Sequence, residues 1–258
     1  MFVTHSPSSL RLDSVSVHFG GLAALTEVSI EINPREVVGV IGPNGAGKTT
    51  LFNVLTGLVD PSAGSFFLAG KKRDWPKTHE LTNLGIARTL QGVGLFSDLT
   101  VLENVLVGAT HFSKNNIFKS LLGLDGASDR NSRLRAQQAL ATLGISDYWD
   151  YRADSLPYPI SKRVALARAL ISEPMTLILD EPAGGLGKGD IEWLKEFILQ
   201  IRSETSVLLV EHHMDVIMNV CDRIYVLNFG QLIAHGTPEE IRNNPEVVAA
   251  YLGTEASL

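Results

Sequence analysis

Gly42-Pro43-Asn44-Gly45-Ala46-Gly47-Lys48-Thr49 fits G-x-x-x-x-G-K-[ST] at every fixed position. The apolar run Val37 to Ile41 leads into it as a strand would, and Thr50 to Leu55 follows as an apolar helical run. That strand–loop–helix setting turns a motif into a phosphate site. Its glycines let backbone N–H groups curl around an anion, and the helix N-terminus adds its dipole. Lys48 is then placed to reach the outer phosphates, and Thr49 to ligate Mg²⁺. Gly42 to Thr49, with Thr50 behind them, form the candidate binding set for a nucleoside triphosphate.

The bulk properties narrow the partners. A chain of 258 residues with 45% hydrophobic content suits one large domain, or a domain with a subdomain. A net charge of −6 argues against nucleic acid as a partner. The single cysteine, Cys221, excludes an internal disulfide, fits a reducing compartment and reads as a small core residue. Met1 to Leu10 has no basic segment followed by an apolar core, so no signal peptide is expected. No apolar run approaches the ~20 residues needed to span a bilayer. A soluble chain is expected, and any membrane role requires partner subunits.

Ser14 to His18 and Val28 to Ile32 alternate polar and apolar residues, as half-buried strands do, around a turn at Phe19-Gly20-Gly21. Ser65 to Leu68 reads as another edge strand, and Gly57 as the stop of the helix behind the phosphate loop. From about Gln91 the character turns helical. Thr100-Val101-Leu102-Glu103 is a capping box, Asn131 to Leu143 a helix ending at Gly144, and Ser161 to Ile171 another helix before Pro174. Thr176 to Leu179, Val207 to Val210 and Ile224 to Leu227 are short apolar runs of the kind buried in parallel sheets. A helix over Asp190 to Ile201 separates the first two, and Thr237-Pro238-Glu239-Glu240 caps another. The strand ending in Asp180-Glu181 delivers two carboxylates where a doubly wound sheet places its ligand. Asp180 is suited to hold Mg²⁺ through water, and Glu181 to polarise a water attacking the γ-phosphate.

In this order of features the chain resembles the ATP-binding subunit of an ABC transporter over nearly its whole length. The resemblance makes Gly42 to Thr49 the Walker A loop, Gln91 the Q-loop glutamine and Asp180 the end of Walker B. It makes His212, after the strand Val207 to Val210 and Glu211, the switch histidine that contacts the γ-phosphate and the catalytic glutamate. It implies that Gln91 reaches Mg²⁺ and the attacking water, and that the apolar residues Leu95, Phe96 and Leu99 receive a coupling helix of the membrane subunit. Phe19 stands where the family stacks an aromatic on adenine. The implied fold is α/β, a P-loop NTPase core of the ABC ATPase type with an antiparallel β edge and a helical subdomain. Residues 1–91 and 171–258 make the nucleotide-binding core with its antiparallel β subdomain, and 92–170 the helical subdomain with the signature region. The implied cofactors are ATP and Mg²⁺.

Ala87-Arg88-Thr89-Leu90-Gln91, Leu99 to Val105 and the tail Val247 to Gly253 resemble the ATPases of branched-chain amino acid importers. The partners implied are integral membrane permease subunits, a second ATPase subunit in a hetero- or homodimer and, indirectly, a substrate-binding protein. The place implied is the cytoplasmic face of the bacterial inner membrane. Related ATPases serve urea and short-amide uptake and lipopolysaccharide export. A soluble ABC ATPase of DNA repair or ribosomes is the rival reading. Repair members insert long coiled coils between the Walker motifs, and ribosomal members carry two cassettes in a basic chain; neither feature is in this sequence.

The chain departs from its family at Leu156-Pro157-Tyr158-Pro159-Ile160, where the family resembles Leu-Ser-Gly-Gly-Gln. Proline has no N–H to offer a phosphate. Either a donor is lost at Pro159, making the two ATP sites of a dimer unequal, or Pro159 merely opens the helix and Ser161 supplies the donor. Ala183 to Lys188 reads as the dimer-contacting D-loop, with Gly187 where the family usually has Asp, Asn or Ser.

Overall fold

In a computed structural model, residues 9–89, 92–109 and 127–255 are described. Strands β3 (Val37–Ile41), β6 (Ile86–Arg88), β7 (Thr176–Asp180), β8 (Ser206–Val210), β9 (Arg223–Asn228) and β10 (Gln231–Gly236) form a six-stranded sheet in the order β10-β9-β3-β8-β7-β6. Every pair in it is parallel except β10 with β9. A second, antiparallel sheet has the order β2-β1-β4-β5, built from β1 (Leu10–Phe19), β2 (Leu22–Ile32), β4 (Ala63–Leu68) and β5 (Lys71–Arg73). The stretch Ser65 to Leu68, expected at an edge, therefore lies inside this sheet. The short basic strand Lys71-Lys72-Arg73 covers it and is exposed, and charge on a short edge strand discourages further pairing.

The strands β3, β7 and β8 are buried throughout and largely apolar because both faces are covered. Val37, Ile41, Leu177, Leu179, Val207 and Leu209 point into one apolar layer. Val38, Val40, Ile178, Leu208 and Val210 point into the other, where they meet the antiparallel sheet and helix α1 (Lys48–Leu55). The first layer is continuous with α2 (Val101–Val107), α3 (Ala127–Thr142), α4 (Tyr158–Leu170), α5 (Lys188–Ile201) and α6 (Met214–Val220). Two short helices, α7 (Pro238–Arg242) and α8 (Pro245–Glu255), finish the chain, α7 through the expected Thr237/Glu240 capping box. Helix α4 begins three residues earlier than its apolar spacing indicates. Pro157 is its N-cap and Pro159 sits in its first turn, where the missing N–H costs little. Cys221 closes α6 in the core, and burial pushes its thiol well above the ordinary value.

One buried amide shapes the surface beside α2. Asn104 is fully buried; its Oδ1 accepts from the Phe96 N–H at 2.8 Å, and its Nδ2 donates to the carbonyls of Phe96, Leu99 and Thr100. This holds the loop that presents Phe96, 53% exposed, to solvent. Asn104→Leu removes the acceptor for the Phe96 N–H and should lower stability by about 1–3 kcal/mol in urea titrations.

Candidate active site

The phosphate loop keeps its curl because its backbone is one that side chains resist. Gly42, Gly45 and Gly47 have φ of 153°, 77° and 100°. A Cβ on Gly42 would meet the Leu227 carbonyl oxygen at 2.1 Å, and one on Gly47 the Ala24 carbonyl oxygen at 2.8 Å. Gly47 caps α1, so the helix dipole points into the loop. Lys48 folds back over it, its Nζ donating to the carbonyls of Gly42 (2.7 Å) and Pro43 (2.9 Å). Burial pulls the Lys48 ammonium below the usual lysine value, and the charge of Glu181 opposes the shift.

A cleft of about 500 Å³ opens on this loop. It is lined by Asn44, Gly45, Ala46, Gly47, Lys48, Thr49 and Thr50, by Glu181 and His212 across from them, and by Phe19 and Leu22 from the β1–β2 hairpin. Gly42 and Pro43 lie beneath the loop, buried. With Phe229 and Gly230, the structure thus brings together residues from five separate stretches of the chain. Gln91 lies outside the described residues.

At the far wall, Glu181 follows β7 directly with φ of +48°. A non-glycine residue held there is strained by order 1–3 kcal/mol, a feature that clusters at functional sites. Its carboxylate Oε1 lies 2.9 Å from His212 Nε2, and its carbonyl accepts from Lys162 Nζ at 3.1 Å. Glu211, 2% exposed, holds this corner together. It accepts from the N–H of Ala183 at 2.7 Å, His212 at 2.7 Å and His213 at 3.0 Å. It ties the chain leaving β7 to the chain leaving β8, and so sets Glu181 against His212. The sequence pattern marks Glu211 only as the step before His212; an acidic residue directly after the apolar run Val207 to Val210 is the signal it carries.

Asp180 is 7% exposed and paired to Arg88 at 2.8 Å, and Arg88 also donates to Asn53 Oδ1 on α1 and to Oγ1 of Thr56, its C-cap. The guanidinium therefore fastens β7 to the phosphate-loop helix. Among the described residues no group of three or more His, Cys, Asp or Glu side chains stands ready to hold a metal by itself. One acidic side chain beside a hydroxyl and phosphates is the donor set Mg²⁺ takes when it arrives with a triphosphate.

In the signature segment, the Ser161 N–H donates to the Pro157 carbonyl at 3.0 Å and its hydroxyl to the same oxygen at 3.3 Å. Both donors turn back on their own helix. Tyr158 instead reaches the Gly184 carbonyl at 3.3 Å, and its ring lies against Gly185, where a Cβ would stand 2.9 Å away.

Residues 25–184 match the ABC transporter family, and residues 231–257 match a family described as branched-chain amino acid ATP-binding cassette transporter. The chain belongs to the ABC transporter ATP-binding family. It is 41% identical over 248 residues to the high-affinity branched-chain amino acid transport ATP-binding protein LivG of Salmonella typhimurium, covering 95% of this chain and 97% of that one. It is 38% identical to BraF of Pseudomonas aeruginosa, a protein of the same description, with the same coverage. A solved ATP-binding cassette of an ABC transporter in its ADP conformation superposes with a TM-score of 0.82 at 31% identity, covering 95% of this chain and 98% of that one. The chain is an ATPase of this family, and no helix among its described residues is long and apolar enough to cross a membrane.

Removing Arg88 would leave Asp180 charged, buried and without its cation. Arg88→Met should cost about 3–5 kcal/mol of stability, read from chemical denaturation. Adding Asp180→Asn should return part of that loss, because it removes the stranded charge.

Proposed function

We propose that this ATPase powers import of branched-chain amino acids, docked on the cytoplasmic face of a membrane through permease subunits. The 2.9 Å contact of Glu181 with His212, facing Lys48 across the cleft, carries the catalytic part of this reading. The amino-acid cargo rests on the likeness to LivG and BraF and on the match over residues 231–257. The triphosphate lies in the curl of Gly42 to Thr49, and Lys48 exchanges its two backbone carbonyls for phosphate oxygens. Thr49 and the Asp180 oxygen not held by Arg88 are the residues that would hold Mg²⁺, which neutralises charge on the phosphates when bound. Gln91 is assigned to the same metal and water. Glu181 orients the attacking water, and His212, donating from Nε2 to the Glu181 carboxylate, fixes that carboxylate's direction. Phe19, half exposed at the cleft's rim, takes the base.

Residues 92–170 act as the helical subdomain that offers the signature segment to a second ATPase subunit. With Pro159 lacking an N–H and both Ser161 donors turned inward, this chain presents a weakened signature to its partner's phosphates. Its own Walker site is completed by the partner, so a partner with an intact signature leaves that site competent. A substrate-binding protein delivers cargo to the permeases without touching this chain.

Glu181→Gln keeps the shape and hydrogen-bonding length of the side chain while removing its charge. It should retain Mg-ATP affinity and lower turnover in the assembled transporter by roughly 10²–10⁴. Turnover within about twofold of wild type would remove Glu181 from the chemistry.

A further inference from the structure

Phe229 is 82% exposed, the most exposed large hydrophobic side chain among the described residues. It lines the same cleft as Phe19 and the phosphate loop. Its backbone is also unsuited to it. Asn228 and Gln231 are partners in the β9–β10 ladder, so Phe229-Gly230 is a two-residue hairpin loop. Its φ values are +44° and +75°. Two positive values in succession mark a type I′ turn, whose first central position favours Asn, Asp or Gly. A phenylalanine there bears both left-handed backbone strain and an uncovered ring.

The turn is not free to relax outward. The Gly230 N–H donates to the Ala46 carbonyl of the phosphate loop at 3.0 Å, and the Gly230 carbonyl accepts from the Thr26 N–H of β2 at 2.8 Å. A Cβ on Gly230 would stand 2.6 Å from the Ala24 carbonyl oxygen, so the hairpin is seated closely on β2. Its tip and the β1–β2 hairpin, with Phe19 and Leu22, line the same cleft.

We infer that Phe229 is a second base-contacting wall of the ATP site, joining Phe19 in covering the nucleobase with apolar surface. This rests on the assignment of the cleft to ATP. Strain and exposure at one residue are costs that folding alone would remove by placing Asn at the turn. A ring on a rim rigidly tied to the phosphate loop lies at a fixed position relative to bound phosphates, as a base-holding group requires. Contact with an aromatic ring does not discriminate among bases, because every base has a π-face. The residue therefore adds affinity and not selectivity.

Phe229→Asn puts the favoured residue into the turn, so the variant should melt at or above the wild-type temperature while losing nucleotide affinity. Titration calorimetry with Mg-ATP should show its Kd raised at least about fivefold, the lower end of what one base–aromatic contact contributes, and Phe229→Tyr should stay within about twofold. A purely structural hairpin would not combine retained stability with weakened binding. Phe229→Asn binding Mg-ATP as tightly as wild type would overturn the proposal. Lys48→Ala separates the two layers of the argument. If it too binds as wild type, the assignment of the cleft falls and Phe229's role with it. If Lys48→Ala weakens binding and Phe229→Asn does not, only the second wall falls.

Discussion

The buried carboxylate of Glu211 is the constraint on which the Glu181–His212 corner depends. Two parallel strands, β7 and β8, release their chains at the same edge of the sheet, and nothing in the ladder fixes where those chains go next. Glu211 answers this by accepting N–H groups from both of them, at Ala183 and at His212 and His213. Hydrogen bonds to an ionised acceptor are about twice as strong as neutral ones. The consequence is that Glu181, 33% exposed at its side chain, and His212, 45% exposed, meet at 2.9 Å although they lie at the surface, where an unsupported pair is worth little.

The same economy of position runs through the rest of the cleft. Arg88 binds Asp180 to α1 and its C-terminal cap, so the acid is tied to the helix behind the phosphate loop. Gly230 ties the β9–β10 turn to that loop, and Gly42 packs so closely on Leu227 that a side chain there is excluded. Two cleft residues, Glu181 and Phe229, also hold left-handed backbones. A site of this kind is rigid because its supports are backbone groups and buried charges, which have few alternative partners.

Much of this was legible in the residues. The phosphate loop, the apolar strands β3, β7, β8 and β9, and the capping boxes at Thr100 and Thr237 carry local chemistry that needs no tertiary context. The position of β4 was misjudged because strand order is a long-range property. Ser65 to Leu68 reads the same at an edge as beside β5, and the basic triplet that covers it has no strand-like pattern. The start of α4 was displaced because prolines at Pro157 and Pro159 suggest a break, whereas the first turn tolerates them. The choice between a lost donor at Pro159 and a donor at Ser161 is not one that local pattern makes, because the Ser161 N–H and hydroxyl turn to the Pro157 carbonyl only once α4 has formed. Arg88 and Glu211 each act through a partner 28 or more positions away in sequence, and Phe229 through a cleft built from distant stretches, so local pattern alone assigns them nothing. The pairs Arg88–Asp180 and Ala183–Glu211, separated by 92 and 28 positions, make the point.

The central claim is that the curl of Gly42 to Thr49 receives the triphosphate opposite Glu181 and His212. A crystal structure of the Glu181→Gln chain with Mg-ATP tests it most directly. The account predicts phosphates enclosed by the loop's N–H groups, Lys48 Nζ released from the Gly42 and Pro43 carbonyls onto phosphate oxygens, and the γ-phosphate turned toward residues 181 and 212. A nucleotide bound elsewhere, or phosphates in the loop with Lys48 still donating to those carbonyls, would contradict it.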